Sequence, residues 1–217
     1  MQIVFLGLPG AGKGTQAISI TEVFGIPHIA TGDIFRAARK EQSELGTRVS
    51  EYLDKGLLVP DALTIEVVRD RLSKDDTKNG FLLDGFPRTE PQAVALEAML
   101  QEINKPLTHV LYLEVPKEEL LQRLTGRLVC SQCGASYHVR LNPPVNEGVC
   151  DRCNAELITR KDDTPEAVAV RLEENLEKTK ALVAYYDQQG ILRTVDGTQS
   201  IEQVKQAINR ALTEAKA

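Results

Sequence analysis

The feature that most constrains the fold is a glycine-rich segment that follows an apolar run near the N-terminus. Residues 2–6 form the apolar run, and Gly7-Leu8-Pro9-Gly10-Ala11-Gly12-Lys13 comes directly after it. This matches G-x-x-x-x-G-K, a pattern in which backbone N–H groups and a lysine cradle nucleotide phosphates. A helix that begins at Lys13 adds positive potential at its N-terminus. The segment therefore predicts a strand, a phosphate-binding loop and a helix, in that order.

One position in this loop departs from the general pattern, which has Ser or Thr immediately after the lysine. Gly14 stands there, and the hydroxyl arrives one residue later on Thr15. Direct binding of Mg²⁺ by Thr15 therefore stays open. A turn that merely connects a strand to a helix is the weaker interpretation, because it explains neither Lys13 nor its place. The candidate residues of the cradle are Gly10, Ala11, Gly12, Lys13, Gly14 and Thr15.

The rest of the chain alternates apolar runs with helical patterns. The apolar runs are at residues 28–30, 81–83, 108–115 and 191–195. Such alternation favours a doubly wound α/β fold with a parallel sheet. Thr89 and Thr164 each stand just before a proline, so each is predicted to cap the start of a helix. The Asp196-Gly197 turn should precede the last helix.

Two segments interrupt this alternation and are interpreted as insertions. Residues 31–59 carry helical pieces that we expect to break around Gly46 and Gly56. Residues 128–159 are rich in Cys, Pro, Gly and Asn, with the β-type sequence Tyr137-His138-Val139 inside them.

Net charge limits the classes of partner. The chain has 217 residues and a formal net charge of -5, whereas nucleic acids and anionic membranes attract basic surfaces. The first residues lack the basic cluster of an export signal, and no apolar run approaches the roughly 20 residues that span a bilayer. We therefore expect a cytoplasmic protein, monomeric, with neither nucleic acid nor membrane as a partner.

All four cysteines lie in the second insertion. Cys130 and Cys133 form one C-x-x-C pair, Cys150 and Cys153 form another, and sixteen residues separate the pairs. This spacing is typical of a structural Cys₄ zinc site, in which four thiolates leave no open coordination position. Iron could occupy the same sulfur set, and two disulfides are the less favoured alternative in a reducing compartment. His138 lies between the pairs but is not needed as a ligand.

A second polar motif follows the apolar run at residues 81–83. Asp84-Gly85-Phe86-Pro87-Arg88 places a carboxylate at a strand end and an arginine four residues on. Ligands of doubly wound sheets bind at the carboxyl ends of the strands. Asp84 is therefore predicted to face Mg²⁺ or its waters, and Arg88 to reach phosphate. A turn with a solvated arginine remains the alternative for this motif in isolation.

Together these motifs resemble the nucleoside monophosphate kinases, and within them the long-lid bacterial adenylate kinases, over essentially the whole chain. The Gly14-Thr15 ending of the loop follows that family. The resemblance implies a P-loop kinase fold with a doubly wound, five-stranded parallel sheet. Its other segments are Thr31-Gly32-Asp33 with Arg36, Gly56-Leu57-Leu58-Val59-Pro60, Asp84 to Arg88, Gln92, Gly126-Arg127 and Arg160-Lys161-Asp162-Asp163.

The resemblance also implies the reaction and the residues that bind its substrates. The terminal phosphoryl group of Mg-ATP would pass to AMP, giving two ADP. Thr31 and Gln92 would read adenine, since relatives that prefer UMP or CMP tend to carry alanine and asparagine there. Besides the loop, the ATP-binding residues would be Arg123, Arg127, Ser136, Tyr137 and Gln199. The AMP-binding residues would be Thr31, Arg36, Leu57, Leu58, Val59, Gly85, Phe86, Pro87, Arg88, Gln92, Arg160 and Arg171.

Phosphoryl transfer between nucleotides needs no general base, because the attacking oxygen belongs to an ionised phosphate. Cations must therefore converge on the phosphates, and arginine suits this task because its planar fork holds two oxygens. Arg123 and Arg127 would share a helical face if the helix after Pro116 continues past Gly126. The resemblance implies that the catalytic residues are Lys13, Asp84, Arg88, Arg127, Arg160 and Arg171.

The resemblance divides the chain into three parts. A core would comprise residues 1–30, 60–126 and 161–217, an AMP-binding domain residues 31–59, and a zinc-bound lid residues 127–160. Two rivals stay open: a kinase for another acceptor, which Thr31 and Gln92 argue against, and a nucleotide-dependent protein whose zinc module binds nucleic acid. Acidic residues offset the basic ones around the cysteines, which disfavours the second rival.

Overall fold

A computed structural model of the chain describes residues 1–55, 57–160 and 163–214. The strands among them are β1 (Gln2–Leu6), β2 (His28–Ala30), β3 (Phe81–Asp84), β4 (His109–Glu114), β5 (Arg127–Cys130), β6 (Ser136–His138), β7 (Leu157–Ile158) and β8 (Leu192–Asp196). The helices are α1 (Lys13–Phe24), α2 (Thr31–Lys40), α3 (Glu44–Asp54), α4 (Asp61–Leu72), α5 (Glu90–Glu102), α6 (Lys117–Thr125), α7 (Pro165–Gln188) and α8 (Ile201–Thr213).

A parallel five-stranded sheet forms the centre of the molecule, with strand order β2-β3-β1-β4-β8. In the central strand β1, Ile3 and Phe5 belong to one buried cluster, whereas Val4 and Leu6 belong to another. Helices therefore cover both faces, as a parallel sheet requires. This confirms the predicted doubly wound α/β fold. It also brings the ends of β1 and β3 together, with Phe5 paired to Asp84.

The predicted helix starts at the two threonines are confirmed. The hydroxyl of Thr89 accepts a hydrogen bond from the backbone N–H of Gln92, at the start of α5. Thr164 accepts one from Ala167 at the start of α7. In both cases the side chain satisfies a backbone donor that the first helical turn leaves free.

The first insertion contains α2 and α3, but the expected break around Gly46 is wrong. The helices are separated by residues 41–43, and Gly46 lies within α3 behind the cap Ser43. A Cβ on Gly46 would lie 2.2 Å from the carbonyl oxygen of Ala38, so glycine here permits close packing of α3 on α2. The other expected break, Gly56, lies outside the described residues.

The second insertion forms a three-stranded antiparallel sheet with order β6-β5-β7. It has its own small buried cluster, which includes Cys130, Cys150 and Tyr137. Helix α6 ends at Thr125, before Gly126, and Arg127 begins β5. Arg123 and Arg127 therefore do not share a helical face.

No helix in the described parts of the chain combines the length and the apolar character that a membrane crossing needs.

Tyr186 offers a stability test of the core. It is fully buried in α7, and its hydroxyl has no hydrogen-bond partner among the described residues. Burial raises the pKa of this hydroxyl above its ordinary value. A buried donor without a partner costs about 1–3 kcal/mol. We therefore expect Tyr186→Phe to keep or raise the free energy of unfolding, by up to about 1 kcal/mol, measured by thermal and urea denaturation.

The adjacent Tyr185 provides the matched control. Its ring packs edge-on against Tyr186, but burial and an interaction with Glu97 raise the pKa of its hydroxyl. Tyr185→Phe should lose the interaction with Glu97 without removing a buried hydroxyl that has no partner, so we expect no gain in stability. A clear loss of stability in Tyr186→Phe would show that its hydroxyl has a partner, such as a buried water.

Candidate active site

The phosphate-binding loop joins β1 to α1. Gly10 and Gly12 have φ angles of 84° and 100°, which side chains with a Cβ rarely adopt. A Cβ on Gly10 would also lie 2.8 Å from Cγ of Leu124. The glycines therefore allow the loop to curl tightly at the N-terminus of α1, where Lys13 is the first helical residue.

The ammonium group of Lys13 lies inside this loop. Nζ donates hydrogen bonds to the carbonyl oxygens of Gly7, at 2.8 Å, and Leu8, at 3.3 Å. Its side chain is only 14% exposed. Burial, opposed by the charge of Asp84 and reinforced by the charges of Arg88, Arg171 and Arg127, lowers the pKa of Lys13 to about 8. Lys13 therefore lies within the electrostatic influence of these three arginines.

Asp84 ends β3 beside the loop. Its Oδ1 lies 4.0 Å from Nζ of Lys13, and its Oδ2 lies 3.3 Å from Nε2 of His28. Burial raises the pKa of Asp84, but the hydrogen bond with His28 and the charge of Lys13 outweigh it, so the net shift is downward. The group is therefore an ionised carboxylate near neutral pH. Sequence reasoning missed His28, which reaches Asp84 because β2 and β3 are neighbours with Ala30 paired to Asp84.

A separate pocket opens between β3 and the first insertion, with about 570 Å³ of empty volume including the part that meets solvent. Most of the predicted AMP-binding residues come together here. Those that line the pocket are Thr31, Arg36, Leu57, Leu58, Val59, Gly85, Arg88, Gln92 and Arg171. Gly32, Phe35, Leu53 and Thr64 complete the lining and were not predicted.

Three predicted residues have other positions. Phe86 is fully buried in the core cluster that covers one face of the sheet. Pro87 is also buried and, like Phe86, does not line the pocket. Arg160 lies in the segment after β7, and its neighbours Lys161 and Asp162 are outside the described residues.

Hydrogen bonds organise one wall of this pocket around Gly85. The carbonyl oxygen of Gly85 accepts from the Thr31 hydroxyl and from Nε of Arg88, both at 2.9 Å. The backbone N–H of Arg88 donates to Oε1 of Gln92 at 2.8 Å. Thr31, Arg88 and Gln92 are thereby fixed relative to one another.

The arginines are buried more deeply than surface arginines usually are. Burial, reinforced by the charge of Arg171, lowers the pKa of Arg88 to about 10, so the group stays charged near neutral pH. Arg127 at the start of β5 and Arg171 in α7 both donate to the carboxylate of Asp163, whose side chain is fully buried. Asp163 therefore positions two arginines. It belonged to a recognised motif, but no role was predicted for it.

A second cleft lies beside the loop, between α6 and Leu141 of the lid, and Arg123 contributes to its wall. The guanidinium of Arg123 donates to the carbonyl oxygens of Ala11, at 3.3 Å, and Gly197, at 2.8 Å. It thus ties the loop to the turn after β8. Gln199 in that turn donates from Nε2 to Asp196 at 2.8 Å and is exposed.

The four cysteines form one cluster, with their sulfur atoms all within 4.8 Å of one another. Cys130 and Cys153 approach to 3.4 Å, and Cys133 and Cys150 to 3.6 Å. These separations exceed the S–S bond length of about 2.05 Å. They are close to the roughly 3.8 Å between sulfurs that Zn–S bonds of about 2.3 Å give in a tetrahedron. The cysteines are therefore free thiols arranged as a metal site requires.

Donors around the sulfurs fit thiolate ligands. The backbone N–H groups of Gln132 and Cys133 point at Sγ of Cys130, and that of Arg152 points at Sγ of Cys150. The Tyr137 hydroxyl lies 3.5 Å from Sγ of Cys150. The bond from Tyr137, helped by the backbone donors, lowers the pKa of Cys150 to about 6.

The two predicted nucleotide contacts in the lid differ in exposure. Ser136 is exposed, whereas the ring of Tyr137 is buried and its hydroxyl accepts from the backbone N–H of Asp151. A nucleotide would therefore meet only the backbone of Tyr137. His138 is not a member of the sulfur cluster: Nδ1 accepts from the backbone N–H groups of Arg140 and Leu141, and Nε2 faces the carbonyl oxygen of Gln122.

Comparison with known proteins agrees with this geometry. A family model described as "Adenylate kinase" matches residues 5–191. The chain is 55% identical to an adenylate kinase of Geobacillus sp. (strain WCH70) and 57% identical to one of Clostridium botulinum (strain Loch Maree / Type A3), each over 94% of both chains. It is 52% identical to an adenylate kinase of Bacillus licheniformis over 98% of both chains. The glycine-rich loop, the neighbouring pocket and these matches lead to one conclusion: the chain belongs to the adenylate kinase family.

Proposed function

We propose that the chain catalyses reversible transfer of the terminal phosphoryl group of Mg-ATP to AMP, which yields two ADP and balances the adenine nucleotide pool. The observation that carries this proposal is the distance of 4.0 Å between Nζ of Lys13 and Oδ1 of Asp84. Because of this contact, the triphosphate cradle at the end of β1 lies next to the acceptor pocket at the end of β3. Two phosphorylated ligands bound there would meet between Lys13 and Arg88.

On the donor side, the loop residues Gly10 to Thr15 bind the ATP phosphates through their backbone and through Lys13. Bound phosphate favours the charged form of Lys13 and offsets the effect of burial on its pKa. Arg123 borders the base, Arg127 meets the phosphates, and Gln199 and the backbone of residues 136–137 complete the donor site.

On the acceptor side, Thr31 and Gln92 read adenine, while residues 57–59 pack against the nucleoside. Arg36 and Arg88 hold the AMP phosphate. The contact of Arg88 with Gly85 leaves its two terminal nitrogens to form a fork toward phosphate. Gly85, which lines the pocket, contributes its backbone to this side.

The transfer is in line, and the phosphate oxygen of AMP attacks without a general base. Lys13, Arg88, Arg127, Arg160 and Arg171 neutralise the charge that spreads over the transferred group. Magnesium enters with ATP and neutralises phosphate charge when bound. Asp84 is the ionised carboxylate available to it or to its water ligands.

Each of the three parts of the chain has a role in this mechanism. Residues 1–30, 60–126 and 161–217 form the core, residues 31–59 the AMP-binding domain, and residues 127–160 the lid. The two inserted parts cover the ligands and exclude water, which would otherwise compete with AMP as acceptor. The four cysteines would hold structural zinc, and its binding energy would stabilise the folded lid, which has few other buried residues. Iron in the same thiolate set is the alternative.

The enzyme acts as a cytoplasmic monomer, with small nucleotides as its partners and without nucleic acid or membrane. The runner-up function is that of a nucleotide-dependent zinc protein that binds nucleic acid.

A coupled assay tests the proposal. Metal-replete protein is incubated with Mg-ATP and each of AMP, UMP, CMP and GMP, and ADP formation is followed. We expect rapid turnover with AMP and little with the others. Turnover with another acceptor alone would keep the mechanism but contradict the specificity. Inactivity with all four, together with a salt-sensitive shift of labelled RNA or DNA, would favour the runner-up.

A further inference from the structure

One acidic side chain contacts the acceptor pocket without lining it. Asp61 is the first residue of α4. Its Oδ1 accepts a hydrogen bond from Nε2 of Gln92 at 2.7 Å, and its Oδ2 accepts one from the hydroxyl of Thr89 at 2.8 Å. Asp61 and Gln92 are 31 residues apart in the chain, so no local motif connects them.

These contacts fix the orientation of the Gln92 carboxamide. Oε1 faces a group that can only donate, the backbone N–H of Arg88, while Nε2 faces a carboxylate that can only accept. If the amide turned over, Nε2 would face the N–H and Oε1 would face the carboxylate, so both hydrogen bonds would become repulsive contacts. Gln92 is 2% exposed, so water cannot readily replace them.

The fixed amide offers a defined pattern to a base in the pocket. One lone pair of Oε1 and one hydrogen of Nε2 remain after the bonds to Arg88 and Asp61. Adenine has the complementary pattern, because its 6-amino group donates and its N1 accepts. Hypoxanthine has the reverse pattern, with an acceptor oxygen at position 6 and a donor at N1. A glutamine free to turn over could read either base equally well.

We propose that Asp61 is a positioning residue for base specificity: it holds Gln92 in the one orientation that accepts adenine and rejects 6-oxopurines. This inference rests on the proposed use of AMP as the acceptor. Removal of Asp61 should therefore change which purine is selected more than it changes how fast the phosphoryl group moves.

The test compares AMP with IMP, which differs from it only at position 6 and N1, as acceptors and as ligands in titration calorimetry. Asp61→Ser keeps a side chain that is well tolerated at the start of a helix but is too short to reach Gln92. We expect the AMP to IMP ratio of kcat/KM, and of affinities, to fall roughly 5- to 30-fold, the range for one or two lost hydrogen bonds. The kcat for saturating AMP should stay within about threefold of the parent value, because Asp61 is not among the groups that bind phosphate.

Two further variants separate positioning from a general structural role. Asp61→Asn keeps an acceptor oxygen for Nε2 of Gln92, so it should retain most of the discrimination. In a Gln92→Ala background, Asp61→Ser should no longer change the AMP to IMP ratio, because Asp61 acts only through Gln92.

The proposal is overturned if Asp61→Ser lowers kcat/KM and affinity by the same factor for AMP and for IMP. It is also overturned if Asp61→Ser still changes the AMP to IMP ratio in the Gln92→Ala background. Thermal denaturation of each variant checks folding. Failure of the proposed function would look different, since the parent protein itself would then show no turnover with AMP.

Discussion

Replacing Arg88 by alanine should lower kcat by about 10² to 10⁵-fold, the range for arginines that stabilise a transferring phosphoryl group. Arg88 is held at the floor of the acceptor pocket by its bond to Gly85, and its charge acts on both Lys13 and Arg171. This position lies between the proposed donor and acceptor sites. Steady-state kinetics with varied AMP and Mg-ATP measures the loss, which should appear in kcat more than in the KM for Mg-ATP.

A conservative variant and a control variant help to interpret the loss in Arg88→Ala. Arg88→Lys keeps the charge but loses the planar fork, so we expect an intermediate loss. Arg69→Ala removes an exposed arginine of α4 that pairs with Glu102, and it should leave kcat unchanged. Near-normal turnover in Arg88→Ala would refute the assignment of Arg88 to the reacting phosphates.

Replacing one of the four cysteines proposed to hold zinc should unfold the proposed lid, residues 127–160, and leave the rest of the chain folded. Cys150 is fully buried in the lid cluster, where Tyr137 and the Arg152 N–H both contact its sulfur. The binding energy of structural zinc is about 10 kcal/mol or more in isolated modules. We expect Cys150→Ser to weaken metal binding by more than about 100-fold, beyond the usual effect of residues that only support ligands. Metal analysis of the purified protein and a competitive chelator titration measure the change.

Limited proteolysis of Cys150→Ser shows which part of the chain is unfolded. Cleavage should concentrate within residues 127–160, while fragments of the core remain resistant. Ser131→Ala alters an exposed neighbour of Cys130 and serves as the control, with unchanged metal content and protease resistance expected. Parent-like metal affinity in Cys150→Ser would contradict a four-cysteine site.

Much of the fold was predictable because signals between residues close together in the sequence determine where its strands and helices begin and end. The apolar runs became strands to within one or two residues, and capping threonines marked the starts of α5 and α7. Gly46 was misread because glycine usually marks a break, whereas here it allows α3 to approach the backbone of α2. That requirement comes from packing between two helices, and nothing local in the sequence encodes it.

The candidate site also has a part that was predictable and a part that was not. Lys13, Asp84 and the cysteine pairs were predictable because each lies in a short motif whose spacing is what phosphate or metal binding requires. Supporting residues were missed, since they act from distant parts of the chain. His28 on β2 reaches Asp84 on the neighbouring strand β3, 56 residues away, and Asp163 reaches Arg127 across 36 residues. No pattern within a single segment connects such pairs.

The separate packing of the first insertion bears on how acceptor preference can evolve. Phe35, Val49 and Val59 of the insertion form a buried cluster with Leu63 of α4. This cluster is distinct from the two that cover the central sheet, and Ile34 connects the insertion to one of those two. Because this cluster shares no member with the cluster beneath the phosphate loop, we expect substitutions that reshape it to leave the packing under that loop largely unchanged. Substitutions in this insertion could therefore change which acceptor is preferred while the proposed donor site keeps its packing. The same separation is useful in protein engineering.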